Sequence, residues 1–545
     1  MKKQNKILLI LVLSCLIVSM AVELTSSSAF YRDPYMFRHF DAAEFILEKQ
    51  RINVIKEDSL EGNFVGWEIF NGKYSFNFIS RIYLYYKNIV FFPVPVLSGS
   101  VFSLLSGFDI YFLFNHFYFL IFISALSFFV LFREIFNDNK IALGVALIVV
   151  FFPFESLYYK ITIHGWHFVR IFSSLSLYFL VRLIKTGFSF RSKNFFFLLV
   201  FSFLGVYSDK TGFALVLLPL ISFFSVFFFI KKKEFLQKKK FLVLLSAVFF
   251  LLLFFSFFSL FNDFYRIFQA IEFNLLNLNF LPSFLFPKLP FSEFYLEKNL
   301  FYILLRYLFP ALIVFFFLAL GFKSIKSFFN DKIIFSFLLS QFLFYSVAVV
   351  PMLFSFFFVS SSGATFIFFF LCWLSFIALF KTFSGKKKYF LISVFFVFVL
   401  IIPFVFYLNS PQFLYEQTNK KHAGAVEWIN SNLSSKIIYS DVKMAKLVSL
   451  KTDSFGVNSK YEFVDSMEKE IIPVFFGDNT KNSIEMFESY SITHLLLSKE
   501  MDAVAVQPSN ELLKPATGLK KFDSSSNFDK LFENKQARIY EINYN

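Results

Sequence analysis

The chain has 545 residues, of which 57% are hydrophobic, 17% charged and 95 are Phe, with a mean hydropathy of +0.62. A single core stops growing near ~250–300 residues, so a soluble protein of this composition would leave a large apolar surface in water; that class is excluded. The formal charge of +15 could suit nucleic acid, but Lys and Arg collect in short gaps between apolar runs, the pattern that orients a membrane protein.

The chain opens MKKQNKILLILVLSCLIVSMAV, a basic stretch followed by an apolar run. It fits a cleaved signal peptide or a retained anchor; the anchor is favoured, and both put residues after about 24 outside. Cys15 and Cys372 both lie in apolar runs, so no disulfide framework and no thiolate metal cluster is expected.

The basic gaps hold Lys2, Lys3 and Lys6; Arg133 and Lys140; Arg182, Lys185, Arg191 and Lys193; the run KKKEFLQKKK at 231–240; Lys323, Lys326 and Lys332; and Lys381 with Lys386, Lys387 and Lys388. Keeping these gaps on the cytoplasmic side predicts spans near 109–132, 141–157, 167–184, 194–208, 212–230, 241–261, 299–321, 333–350, 359–380 and 389–408. With the first run this makes about eleven. The segment VFFPVPVLSGSVFSLLSG at 90–107 would invert every later loop if it crossed. Its Pro93, Pro95, Gly99 and Gly107 suit a broken, interfacial and non-spanning stretch.

The fold class expected is a polytopic α-helical membrane protein with a small exterior α/β domain at its C-terminal end. Residues 1–408 would form the membrane domain, including a long exterior first loop at 24–108, and 409–545 the exterior domain. The N-terminus is expected in the cytoplasm. After Pro411 the polarity changes: AVEWINSNL and SIEMFESYS read as helices, and KIIYS, IIPVFFG, HLLLS and ARIYEI as strands.

Chemistry would sit in the exterior loops, where ordered segments on a rigid bundle usually carry it. The first loop begins AFYRDPYMFRHFDAAEFILEKQRI, gathering Asp33, Asp41, Glu44, Arg32, Arg38 and His39 just beyond a membrane helix. A carboxylate there could bind a divalent cation or take a proton from an acceptor hydroxyl, and an Arg could hold a lipid phosphate. The same spacing also suits an amphipathic interfacial helix with Phe37, Phe40, Phe45 and Leu47 toward lipid. The loop ESLYYKITIHGWH offers Glu155, His164 and His167, as ligands, as a general base, or simply as part of an aromatic belt. Within or beside spans stand Arg170, Asp209, Lys210 and Arg306, and an ionisable group at membrane depth is a site candidate by default. Lys210 and Arg306 are candidate phosphate ligands, against a salt bridge to Asp209 and snorkelling respectively. No Walker loop, dinucleotide glycine pattern or zinc-protease helix is present in the sequence.

The Asp33-Pro34-Tyr35 motif with Arg38, placed just after the first span and ahead of a Pro-containing segment and many spans, resembles the first acidic motif of the oligosaccharyltransferase catalytic subunits in the GT-C superfamily of membrane glycosyltransferases. GAVEWINSNLSSKIIYSD, YSITHLLLS and FENKQARIYEIN are similar to exterior C-terminal portions of prokaryotic GT-C proteins. The resemblance implies transfer of a sugar from a polyprenyl-phosphate donor to an exterior glycan, lipid or protein acceptor in the cell envelope. It implies Asp33 as catalytic carboxylate and possible metal ligand, for Mg or Mn; Arg38 and Arg306 are read beside it as ligands of the donor phosphate. The chain departs from the family in lacking the Trp-Trp-Asp motif that reads an acceptor sequon, since Trp428 stands alone; peptide N-glycosylation is disfavoured accordingly. A lipid-linked-glycan flippase and a non-catalytic surface protein on a membrane anchor are the alternatives.

Overall fold

The computed structural model describes residues 2–25, 29–31, 93–108, 119–152, 165–186, 191–208, 216–230, 309–327, 330–353, 357–408, 418–440, 444–445, 447–448, 452–457, 479–498 and 517–544. They fall into two compact units, one helical and one containing the C-terminal residues.

The helical unit contains α1 (Lys2–Thr25), α2 (Pro93–Ser106), α3 (Phe119–Phe136), α4 (Asn139–Phe151), α5 (Gly165–Lys185), α6 (Lys193–Val206), α7 (Leu218–Ile230), α8 (Phe309–Ser327), α9 (Lys332–Leu353), α10 (Phe357–Thr382), α11 (Gly385–Phe395) and α12 (Ile402–Leu408). The polar gaps start these helices by capping them. Asp138 Oδ1 accepts the N–H groups of Lys140 and Ile141 at 2.8 and 3.3 Å, and Asp331 Oδ1 those of Ile333 and Ile334 at 2.9 and 3.1 Å. Ser192 Oγ accepts that of Asn194 at 3.1 Å. Each satisfies donors that the first helical turn leaves open. Between α11 and α12 the residues Phe396–Ile401 form a π-helix; Pro403, which follows, has no N–H to donate back into the preceding turn, and the ladder widens there.

Among the described residues four helical stretches are long and apolar enough to cross a membrane: Asn5–Val22, Phe119–Phe136, His167–Lys185 and Gly385–Val405. Shorter apolar helices occupy Asn139–Phe151, Lys193–Val206, Phe309–Gly321, Lys332–Leu343 and Phe368–Thr382. The chain is thus a mostly helical integral membrane protein; the expected span at 241–261 lies outside the described residues. The segment expected to be broken by its prolines is instead one continuous helix, α2. Pro93 and Pro95 sit in its first turn, where a missing N–H costs nothing, and Gly107, at φ +69°, ends it in the left-handed conformation that glycine tolerates. At fourteen residues it reaches about 21 Å, short of a ~30 Å hydrocarbon layer.

Aromatic rings fill the helical core. Trp373 is fully buried, with Phe370 at 4.9 Å, Phe132 at 5.1 Å and Phe337 at 5.9 Å between ring centroids, so α3, α9 and α10 meet around one indole. Other phenylalanines face outward: Phe390 is 66% exposed and Phe196 62%, a surface that suits acyl chains and not water. Hydroxyls bind the helices pairwise, as small polar groups do in membranes. Ser174 Oγ donates to Ser127 Oγ at 2.7 Å, Ser202 Oγ to Ser176 Oγ at 3.3 Å, and Ser375 Oγ to the Val314 carbonyl at 3.0 Å.

The second unit joins β1 (Ala29–Tyr31) to the elements β2 (Thr418–Asn419), α13 (Lys420–Asn432), β3 (Ile437–Ser440), β4 (Phe455–Val457), α14 (Thr480–Ser489), β5 (His494–Ser498), α15 (Lys521–Ser524), β6 (Phe528–Glu533) and β7 (Ala537–Ile542). β1 and β2 pair antiparallel, Ala29 opposite Asn419 and Tyr31 opposite Thr418. The other strands form one sheet in the order β4-β3-β5-β7-β6. β3 runs parallel to β4 and β5, while β7 runs antiparallel to β5 and β6. One face of this sheet carries a core of Tyr439, Phe487, Leu495, Leu497, Phe522 and Tyr540. α13 lies against β6 and β7, with the Trp428 ring 5.4 Å from that of Phe532. The predicted strand IIPVFFG lies outside the described residues, and β4 and β6 carry too little alternation to be seen in sequence.

The closest backbone approach between α8 and α10 is testable. A Cβ added at Gly321 would lie 2.4 Å from Ala378 Cβ and 3.0 Å from its backbone carbonyl carbon, so neither helix can yield by a rotamer change alone. Gly321→Ala is expected to destabilise the protein by about 1–3 kcal/mol, read as a lowered Tm of the detergent-solubilised chain. Adding Ala378→Gly to the same protein should recover part of the loss.

Candidate functional site at one end of the helical unit

Contacts between gap residues fix which helix ends lie together. Lys185 Nζ at the end of α5 is 3.4 Å from Glu134 Oε1 near the end of α3. Lys140 Nζ at the start of α4 donates to Tyr389 Oη near the start of α11 at 3.3 Å. The Ser375 to Val314 bond and the Gly321 to Ala378 contact run α8 and α10 side by side in the same direction, so their Lys-bearing C-terminal ends share one end of the unit.

The opposite ends of these helices therefore also lie together. Phe152, closing α4, has its ring 5.1 Å from that of Phe369 in α10, and the Arg170 guanidinium of α5 lies 5.2 Å over the same Phe369 ring. Arg170 is 9% exposed and His167, one turn earlier, 1%. Phe404 of α12 meets Phe151 at 6.3 Å, which brings the end of the last apolar helix to this end as well. A cation, an imidazole and a wall of phenylalanines are thus built into the bundle here. A positive charge in such a setting is strengthened by the low dielectric around it.

All six residues nominated from sequence, Asp33, Arg38, Glu155, His164, Lys210 and Arg306, lie outside the described residues. Their neighbours in the chain are described. Glu155 is three residues past Phe152, His164 directly precedes α5, Lys210 is two residues past Ser208 at the end of α6, and Arg306 is three residues before α8. Asp33 is two residues past β1. In sequence, Glu155, His164, Lys210 and Arg306 thus adjoin helix ends of the helical unit other than those that carry the lysine gaps. Among the described residues no group of three His, Cys, Asp or Glu could hold a metal ion, and the candidate ligands for Mg or Mn are not among them. Arg170 was visible in sequence as a charge within a span; its stacking on Phe369 was not, because the two are joined only by tertiary packing.

The C-terminal unit holds its own charged cluster. Asp523 takes Lys530 Nζ at 2.7 Å and Arg538 at 2.9 Å, and accepts a hydrogen bond from Tyr540 Oη at 2.7 Å. Burial works to raise its carboxyl pKa, but the bonds from Lys530 and Tyr540 and the charge of Arg538 outweigh it and hold the group below the ordinary aspartate value. Two cations and a phenol saturate the carboxylate, which marks it as a structural anchor for β6 and β7.

No family model matches the chain, and no curated protein matches it in sequence. Its fold is that of archaeal oligosaccharyltransferase, the protein class to which the Asp33 motif bears its resemblance. The apo structure of the Archaeoglobus fulgidus oligosaccharyltransferase aligns at a TM-score of 0.55 and 12% identity over 96% of this chain and 80% of that one. The same enzyme tethered to an acceptor peptide containing an NVT sequon gives 0.53 and 13%, over 90% and 69% of the two chains. Its complex with Zn and sulfate gives 0.53 and 13%, over 97% and 73%. At that identity the likeness is one of fold.

His494 supplies a pH prediction for the sheet. It is 1% exposed, with Nδ1 2.9 Å from Thr493 Oγ1 and Nε2 buried without a hydrogen-bond partner. Burial pushes its pKa below the usual 6.5, opposed by Glu541 across the β5–β7 pair and aided by Lys436. The unfolded chain thus binds the proton first as pH falls, so stability is full above about 6.5 and is lost as pH drops through the depressed folded value. Unfolding of the C-terminal unit should move to lower temperature between pH 7.5 and 5, and His494→Gln should flatten that dependence; a slope equal to the wild type's would contradict it.

Proposed function

We propose that the chain is a membrane glycosyltransferase of GT-C type, moving a sugar from a polyprenyl-phosphate-linked donor to an exterior acceptor glycan, lipid or protein. The observation that carries this reading is the fold likeness to an oligosaccharyltransferase across almost the whole chain. The Asp-Pro-Tyr motif supports it, standing where the first exterior loop begins.

In this reading Asp33 is the carboxylate that takes the acceptor proton or binds a divalent cation, and Glu155 and His164 are auxiliary groups. Arg38, Lys210 and Arg306 neutralise the donor phosphate as it leaves, the step at which negative charge builds up on the lipid. Arg170, buried at the same end of the bundle, adds a fixed positive charge to that field. The β1–β2 pair supports the topology. A strand that begins four residues after α1 ends pairs with one that begins ten residues after α12 ends. In this reading the first loop and residues 409–545 are exterior and the Lys-rich helix ends are cytoplasmic. Domain limits of 1–408 and 409–545 remain part of this reading, with the strand at 29–31 clustering with the C-terminal residues.

The absence of a Trp-Trp-Asp motif favours an acceptor other than a peptide sequon. The test uses purified full-length protein with polyprenyl-phosphate-linked sugars and membrane-derived acceptors. Asp33→Ala should insert and fold as the wild type does yet lose transfer by about 10²-fold or more, the scale of a lost general base. Unchanged transfer would remove Asp33 from the chemistry. Movement of the lipid-linked glycan across a proteoliposome without transfer would favour the flippase instead.

A further inference from the structure

At the end of the helical unit opposite the candidate site, three helix ends form a corner of concentrated positive charge. Lys140 opens α4, Lys381 closes α10, and Lys386, Lys387 and Lys388 open α11. The first four are exposed and Lys388 is half-buried. Lysines that only mark topology are expected to point separately into water, but three of these lie over aromatic rings. Lys388 Nζ stands 3.3 Å from the Phe380 ring centroid and Lys387 Nζ 5.4 Å from that of Phe383. Lys140 Nζ is 5.9 Å from the Tyr389 ring centroid while it donates to the Tyr389 hydroxyl.

Among the described residues one carboxylate, Asp138, acts on Lys388 against the charge of five lysines. Asp138, in the adjoining turn, has its Oδ1 committed to the backbone N–H groups of Lys140 and Ile141. None of the five ammonium groups makes an ion pair among the described residues. Holding this many cations together costs free energy that only an anion can return. The chemistry of the surroundings says which anion. Directly beyond the lysines, on the first turns of an apolar helix, Tyr389 is 56% exposed and Phe390 66%. Phosphate-binding groups thus adjoin a surface suited to the glycerol and first methylenes of a lipid.

We infer that the corner formed by Lys140, Lys381, Lys386, Lys387 and Lys388 is a binding site for the phosphodiester headgroup of an anionic phospholipid, with Tyr389 and Phe390 against its acyl chains. It lies apart from the proposed donor site and does not depend on the transferase reading. An anionic lipid bound here would join α4, α10 and α11 at their shared end and so stabilise the bundle.

The test places the full-length protein in nanodiscs of phosphatidylcholine, alone or mixed with phosphatidylglycerol, and reads Tm and the lipid retained in native mass spectrometry. Phosphatidylglycerol should raise Tm and be retained preferentially. At about fivefold in affinity for each lysine near an anionic surface, the Lys140→Gln, Lys387→Gln, Lys388→Gln triple variant should lose the preference by at least about tenfold. The corresponding triple Arg variant should keep it. The exposed pair Lys381→Gln, Lys386→Gln gives the same reading by a smaller fold if the triple fails to fold. A Gln variant with wild-type preference overturns the site, and so does an equal Tm rise from inorganic phosphate, which would identify a plain anion site.

Discussion

The cost of carrying an ammonium or guanidinium group into hydrocarbon organises this protein. Each apolar helix must satisfy its backbone internally and surrender its charges at its ends, and the alternating direction of the helices then sorts those charges to one side. The Glu134–Lys185 pair and the Lys140–Tyr389 bond are the local record of that sorting. At the other end Arg170 is buried in the bundle and stacked on Phe369.

The gaps themselves show why so much of the helical unit was legible. Asp138, Ser192 and Asp331 are caps as well as loop residues, so the sequence marks the same positions twice, once by charge and once by hydrogen-bonding chemistry. In the C-terminal unit KIIYS, HLLLS and ARIYEI could be seen as strands because each is a short β-branched or apolar run between turn residues. Their order could not be, since β3 and β5 are joined through a distant stretch and the pairing of β5 with β7 is a contact between remote residues. The pairing of Ala29–Tyr31 with Thr418–Asn419 was hidden for the same reason, and it moves part of the first loop into the C-terminal unit.

Position 93 shows a different kind of misreading. Prolines predict a break in the segment at 90–107, yet in the first turn of α2 they start the helix, and it is Gly107 that stops it. The candidate site was legible as residue types and as a side of the membrane, never as a cavity. A carboxylate, imidazoles and arginines at the correct ends of helices are a statement about parity; their distances from one another are set by tertiary packing that no local spacing encodes. The fold is like that of an oligosaccharyltransferase while the sequences share only 12–13% of residues, because the hydrophobic pattern that builds the bundle tolerates many apolar substitutions.

Everything in the functional account follows from two faces, and the protein's own cysteines make them measurable. Cys15 and Cys372 are both buried, so a cysteine introduced at Ser28, Asn527 or Ser384 is the one that a membrane-impermeant maleimide reads. In intact cells Ser28→Cys and Asn527→Cys should label, and Ser384→Cys should label only after permeabilisation. Labelling of Ser384→Cys from outside, or protection of Ser28→Cys until the membrane is opened, would place the Asp33 loop on the wrong side for an exterior transferase and contradict the account.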